Sequence, residues 1–117
     1  VATPRFVQEA AAAAWTDDVH AEEQREMYKE RRDRAIAVLR RAGFVVSPPE
    51  AGLFIWLGVP DGFTSETFAM RSLEEGVVLL PGSVLGPGGE GFVRISLTAP
   101  ISVLEDALAR LARLATT

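Results

Sequence analysis

The feature that most constrains the fold of this chain is a change in the spacing of its apolar residues at Gly43. Before this glycine, apolar residues recur every three or four positions, which is typical of helices. Thr3 followed by Pro4 predicts a helix start, and the charged stretch over residues 17–42 predicts one long helix. Gly43 predicts the end of that helix, because glycine adopts the left-handed conformation of a helix C-terminus without strain.

After Gly43, short β-branched and aromatic runs bounded by proline and glycine replace the helical spacing. These runs predict strands over residues 44–46, 52–59, 77–80 and 92–97. Two further helices are predicted, one capped by Thr64 or Ser65 and ending near residue 75, and one over residues 100–115. The first of these is predicted to bury Phe68, Ala69, Ser72 and Leu73.

The order ααββαββα predicts an α+β fold with a long N-terminal helix. In such a fold, a small and mostly antiparallel sheet of about three or four strands packs against helices. We expect residues 1–117 to form one domain, with a helical lead-in over about 3–42 and an α/β sandwich over about 43–117.

Composition argues against several classes of function. The chain has 12 basic and 16 acidic residues, and its formal net charge of −4 argues against a nucleic-acid partner. No apolar run reaches the ~18–20 residues that a membrane span needs, and we expect no secretory leader at the N-terminus. The lack of cysteine excludes disulfides, thiol catalysis and thiolate metal sites, and it favours a cytoplasmic setting.

The sequence contains one histidine, His20, and one lysine, Lys29. His20 lies in a strongly polar stretch, so we expect a solvated surface histidine rather than a metal ligand or a catalytic base. Lys29 lies among charged residues of the long helix, where an ordinary surface ammonium is expected rather than a desolvated nucleophile. We therefore predict no catalytic histidine or lysine and no metal site in this chain.

Residues 86–91 match the pattern G-x-G-x-x-G of dinucleotide-binding loops. In that mechanism a strand precedes the glycines and a helix N-terminus follows them, facing the pyrophosphate. Here the glycines lead into the strand predicted over residues 92–97. The segment is therefore interpreted as a flexible connecting loop rather than a phosphate-binding loop.

Arg94 is the residue that most requires an explanation. It interrupts the apolar strand F-V-R-I-S-L, and a guanidinium in such a strand must find solvent, a carboxylate partner or an anionic ligand. A solvent-facing or ion-paired structural arginine is one interpretation. The other is a clamp for a substrate carboxylate, which the planar fork of arginine binds through two parallel hydrogen bonds.

Several segments resemble, in their order and spacing, the C-terminal part of class I/II aminotransferases, which are pyridoxal-phosphate enzymes of fold type I. The similar segments are YKERRD at 28–33, PEAGLFIW at 49–56, EGVVLLPGS at 75–83 and GEGFVRIS at 89–96. The resemblance covers nearly the whole chain. It implies a fold like the small C-terminal domain of these enzymes.

The resemblance also implies roles for particular residues. Arg94 matches the arginine that grips the substrate α-carboxylate, and Gly52 lies in a segment that approaches the active-site mouth. The implied substrates are an amino acid and a 2-oxo acid, the cofactor is pyridoxal 5′-phosphate, and the full-length enzyme is a cytoplasmic homodimer. The lysine that carries the cofactor lies upstream of the matching region in the family, and Lys29 does not replace it.

The resemblance therefore implies a fragment that is inactive alone and works with the remainder of an aminotransferase chain. The alternative interpretation is a non-catalytic module that binds a small molecule or mediates dimerisation, since small α+β domains often serve in this way.

Overall fold

The computed structural model describes residues 2–115. Its helices are α1 (Arg5–Thr16), α2 (Asp18–Arg41), α3 (Ser65–Glu74) and α4 (Ile101–Leu114). Its strands are β1 (Phe54–Gly58), β2 (Leu80–Pro81) and β3 (Phe92–Ser96). Two short 3₁₀ helices, Gly82–Leu85 and Pro87–Gly89, lie between β2 and β3. None of the helices in residues 2–115 is long and apolar enough to cross a membrane.

The four predicted helices are confirmed, but α1 begins differently from the prediction. Pro4 rather than Thr3 is its N-cap residue, and no side chain caps it. The side-chain amide of Gln8 instead donates a hydrogen bond to the main-chain carbonyl of Thr3 at 2.6 Å. Pro4 is the N-cap because its carbonyl accepts the first helical hydrogen bonds, from the N–H groups of Val7 and Gln8, and Thr3 is therefore one residue upstream of the capping position.

Side chains cap the next two helices. Asp17 caps α2, and its carboxylate accepts a hydrogen bond from the N–H of His20, which lowers the pKa of Asp17 below its ordinary value. Thr64 caps α3 in a reciprocal capping box with Thr67, so Thr64 rather than Ser65 is the cap. Ser65 is thereby left free for a different role.

Two of the predicted strands are confirmed as β1 and β3, and the other two are much shorter than predicted. The segment over 44–46 forms only an isolated bridge between Val46 and Leu57, and the two prolines that follow it cannot donate to a further ladder. The segment over 77–80 joins the sheet only at Leu80 and Pro81. Val77 instead donates its N–H to the carbonyl of Ser72 at the end of α3, which keeps the chain beside that helix.

The sheet is antiparallel, with the strand order β1-β3-β2. β3 is therefore the central strand. Arg94, in the middle of β3, lies opposite Trp56 of β1 on one side and opposite Leu80 of β2 on the other.

The core lies between one face of this sheet, called the inner face, and helices α2, α3 and α4. From the sheet it takes Ile55, Leu57, Val93 and Ile95, all of which are buried. The helices contribute Ala35, Leu39, Phe68, Ala69, Leu104, Leu108, Leu111 and Leu114. The prediction for α3 is wrong at Leu73, which is 50% exposed because it lies at a surface groove beside Val78 and Pro81 rather than in the core.

Helix α1 contributes no buried residue to this core. Its aromatic side chains are largely solvent-exposed, at 75% for Phe6 and 85% for Trp15. The elongated dimensions of the chain, 54 × 32 × 24 Å, agree with a helix that extends away from the sandwich.

Candidate carboxylate-binding site

The face of the sheet opposite the helices, called the outer face, carries the candidate site. Side chains of a strand point alternately to its two faces, so Phe92, Arg94 and Ser96 share the outer face, while Val93 and Ile95 are buried on the inner one. The alternation of these residues in the sequence predicts the two faces of the strand, and the structure confirms them. It places an arginine in the middle of the central strand, on the face opposite the buried residues of that strand.

Arg94 is half-buried, and its guanidinium lies over the ring of Phe54, with 4.0 Å between Cζ and the ring centroid. Within residues 2–115 the guanidinium forms no hydrogen bond and no ion pair. The interpretation of Arg94 as a structural ion-pair residue is therefore wrong for the described part of the chain. Its donors remain available, while the aromatic ring restrains its position from one side.

Other arginines show what a structural arginine looks like in this fold. Arg31 donates to the carbonyl of Leu97 at 2.8 Å, and Arg110 donates to the carbonyl of Glu75 at 3.0 Å. Arg34 pairs with Glu105 and Glu30, and the Glu105 carboxylate is the main cause that raises the pKa of Arg34 above its ordinary value. Arg94 has no comparable partner among the described residues.

Three aromatic rings share the outer face of the sheet with the guanidinium. Besides Phe54, the rings of Trp56 and Phe92 stack on each other, with centroids 5.2 Å apart and planes 15° from parallel. Trp56 and Phe92 were not predicted as residues of the site, whereas Phe54 lies in the segment that the family resemblance places at the active-site mouth. The alternating pattern could have indicated them, because Phe54 and Trp56 are two residues apart and therefore share one face of β1.

Gly52 lies just before β1, with a φ of +89° and open space around its missing side chain. Its carbonyl accepts a hydrogen bond from Nη1 of Arg32 at 2.9 Å. This bond joins the YKERRD segment of α2 to the segment that leads into Phe54. The structure thus brings Gly52 near the start of the strand that carries Phe54, and its role in substrate binding stays a prediction.

The glycine-rich segment before β3, expected from its sequence to be a flexible connecting loop, is largely exposed but is closely packed at Gly89, which is buried. It forms the second 3₁₀ helix and then β3, so it does not have the strand-to-helix geometry of a phosphate-binding loop. The backbones of Gly82 and Gly89 touch, and a Cβ atom on either glycine would overlap the carbonyl oxygen of the other. A Cβ on Gly82 would also lie 2.8 Å from Cη2 of Trp56.

The single histidine and the single lysine lie elsewhere, as predicted. His20 is exposed near the start of α2, with Nδ1 3.2 Å from the carboxylate of Asp17. Lys29 is exposed on α2 and lines a surface groove of about 430 Å³ together with Arg32, Gly52 and others. No cluster of three or more potential metal ligands occurs in residues 2–115.

The fold, a three-stranded antiparallel sheet packed against helices, is that of a domain of the aminotransferase type. The family model for aminotransferases of class I and II matches residues 1–111, and the chain belongs to this family.

The LL-diaminopimelate aminotransferases are among the similar curated proteins. The enzyme of Oleidesulfovibrio alaskensis is 47% identical over 110 residues, which are 92% of this chain and 28% of that protein. The enzyme of Nitratidesulfovibrio vulgaris strain DP4 is 46% identical over the same shares. This chain therefore spans little more than a quarter of these relatives.

Solved structures show the same similarity. An aromatic aminotransferase from Pyrococcus horikoshii is 35% identical, with a TM-score of 0.89 over 95% of this chain and 31% of that one. A probable N-succinyldiaminopimelate aminotransferase from Thermus thermophilus is 37% identical, with a TM-score of 0.70 over 74% of this chain and 23% of that one.

Proposed function

We propose that this chain is the C-terminal, substrate-binding part of a pyridoxal-phosphate-dependent aminotransferase. In this proposal, Arg94 binds the α-carboxylate of the amino-acid and 2-oxo-acid substrates. The observation that supports this role is the unpaired guanidinium of Arg94 on the outer face of the sheet, restrained by Phe54. Arginine suits the task because its planar fork matches the two oxygens of a carboxylate. Family membership supplies the reaction class.

In this role, the chain orients the substrate but does not move its proton. Two parallel hydrogen bonds from Arg94 would fix the carboxylate, and the stacked rings of Trp56 and Phe92 would limit water on one side. Gly52, with no side chain, would leave the mouth of the site open to the substrate. Such positioning is worth several kcal/mol in reactions whose geometry must be aligned.

The described residues do not by themselves fit pyridoxal phosphate. The one lysine of the sequence, Lys29, is exposed on α2, whereas Arg94 and the aromatic rings lie on the outer face of the sheet. When bound in an aminotransferase, the cofactor serves as the electron sink for the substrate. We propose that residues outside this chain hold it, in a cytoplasmic homodimer of the full-length enzyme.

The experiment that tests this function compares the isolated chain with the full-length enzyme. We expect the full-length enzyme to transfer an amino group from LL-diaminopimelate to a 2-oxo acid, because enzymes named LL-diaminopimelate aminotransferase are 46–47% identical to this chain. The isolated chain, mixed with pyridoxal phosphate, is expected to show no absorbance band of protein-bound cofactor and no amino transfer. A Lys29→Ala chain is the control for non-specific reaction at a surface amine.

Two results would contradict the proposal. One is amino transfer by the isolated chain, which would show that it holds the cofactor itself. The other is a full-length enzyme that transfers no amino group from any of a panel of amino acids, which would leave a binding or dimerisation module as the better interpretation.

A second prediction concerns the ring beneath the guanidinium. Phe54→Leu in the full-length enzyme should raise KM for amino donors by about two- to fivefold, because a cation–π contact of ~0.5–1 kcal/mol is lost at a partly exposed site. Phe54→Tyr keeps an aromatic face and should leave KM within about twofold of the original value. KM of both variants is measured by steady-state kinetics. Equal KM values for the Leu and Tyr variants would contradict a role for the ring.

A further inference from the structure

We propose that Ser65 is a positioning residue for Arg94, because its buried hydroxyl fixes the start of β3 to the N-terminus of α3. This inference rests on the proposed function of Arg94 in carboxylate binding. Ser65 forms no hydrogen bond with Arg94, so it would act through the strand that carries Arg94.

The hydroxyl of Ser65 is fully buried and uses its whole hydrogen-bonding capacity. Its Oγ accepts from the N–H of Gly91 at 2.9 Å and from the N–H of Phe92 at 3.2 Å. It also donates to the carbonyl of Gly89 at 3.3 Å. One side chain of α3 thus binds three main-chain groups within residues 89–92, where β3 begins.

A further hydrogen bond joins α3 to the segment before β3. Here a side chain of that segment binds a main-chain group of α3. Oε1 of Glu90 accepts from the N–H of Ser65 at 3.1 Å. This N–H is one of the first in α3, where intrahelical partners are lacking and a carboxylate is favoured by the helix dipole. Ser65 and Glu90 together therefore form a two-way connection, here called the α3–β3 latch.

The α3–β3 latch lies where a displacement of the main chain would be transmitted to Arg94. Phe92 is the first residue of β3, and Arg94 is the next residue on the same face of the strand. Phe92 stacks on Trp56, and Trp56 lies opposite Arg94 in the sheet. A shift of the main chain at Gly91 and Phe92 would therefore move both the aromatic pair and the guanidinium beside it.

Ser72 offers a matched comparison within the same helix. It is also fully buried, and its Oγ donates to the carbonyl of Phe68 at 2.9 Å, inside α3 itself. Both serines lose a buried hydroxyl on replacement by alanine. Only the loss of Ser65 releases the start of β3.

The test uses four variants of the full-length enzyme: Ser65→Ala, Glu90→Ala, Ser72→Ala and Arg94→Ala. Ser65→Ala is expected to raise KM for the amino donor by about tenfold, and to change kcat by less than about threefold, because substrate positioning is lost while the reacting groups remain. Glu90→Ala, at an exposed side chain, is expected to raise KM by about threefold. Ser72→Ala should leave KM within about twofold of the original value while lowering Tm.

A binding readout accompanies the kinetics. The Kd of 2-methylalanine, which has an α-carboxylate but no α-proton to lose, is measured by calorimetry. It should rise by the same factors as KM. A purely structural role of Ser65 would lower Tm without this rise.

The outcomes separate the two proposals. If Arg94→Ala leaves KM and Kd unchanged, the proposed function fails. If Arg94→Ala raises both, but Ser65→Ala raises them no more than Ser72→Ala does, the positioning role alone is overturned. If Ser65→Ala does not fold, the result for Glu90→Ala decides, and an unchanged KM in that variant overturns the latch.

Discussion

Arg94→Ala in the full-length enzyme is expected to lower kcat/KM for amino-acid donors by roughly 100- to 1,000-fold. The variant removes a charged donor fork from a half-buried site whose guanidinium has no other partner among the described residues. In the variant, the substrate carboxylate no longer forms charge-assisted hydrogen bonds with this guanidinium. Such bonds are about twice as strong as neutral ones. Most of the change should lie in KM. Arg94→Lys should recover only part of it, since an ammonium lacks the planar fork.

A change in the substrate tests the same contact from the other side. An amino donor whose α-carboxylate is replaced by a carboxamide should be a much poorer substrate for the original enzyme. It should lose little further when Arg94 is replaced, because the two changes remove the same interaction and are therefore not additive. Additive losses would show that Arg94 does not contact the carboxylate. Arg25→Ala, at an exposed arginine paired with Glu22, is the control and should leave kcat/KM within about twofold.

The helices of this fold could be predicted from the sequence because their signals are local. The long run that became α2 has helical spacing, favourable charge pairs and a glycine stop, and all of these act within a few residues. The strand β3 was also predictable, because its alternation of apolar and polar residues assigns each side chain to a face. The sequence alone therefore indicates on which face of this strand Arg94 lies.

The contacts of Arg94 could not be predicted in the same way, because they depend on strand register. Phe54 lies opposite Ser96 in the antiparallel pair, so its ring reaches Arg94 along a diagonal. A shift of one residue would have turned that ring into the core. The same limit applies to β2, which joins the sheet at only two residues because the end of α3 holds the preceding segment.

The glycine-rich segment illustrates a second limit. Its sequence matches the G-x-G-x-x-G pattern but lacks the strand-to-helix context of that pattern. No neighbouring residue in the sequence explains why glycine is needed there. Gly89 is required by its contact with Gly82, seven positions earlier, and Ser65 lies still further away along the chain. Only the tertiary structure brings these residues to the start of β3.

The contact between Gly82 and Gly89 leads to the second large effect. Gly82→Ala is expected to destabilise the fold by about 2–3 kcal/mol, because its Cβ would overlap the carbonyl oxygen of Gly89 and press on the carbonyl of Phe92 and on the ring of Trp56. Two of these three obstacles are main-chain atoms, so a change of side-chain rotamer cannot relieve the overlap. Urea unfolding should show a lower midpoint, and Tm should fall by roughly 8–15 °C.

Gly88→Ala is the matched control for this prediction, because it lies in the same 3₁₀ helix as Gly89 and a Cβ there meets nothing within 4 Å. Its unfolding free energy should change by no more than about 0.5 kcal/mol. Equal midpoints for the Gly82→Ala and Gly88→Ala chains would show that the close backbone contact does not exist in solution. A selective loss for Gly82→Ala would instead show that the approach to β3, and with it the position of Arg94, depends on two glycines packed against each other.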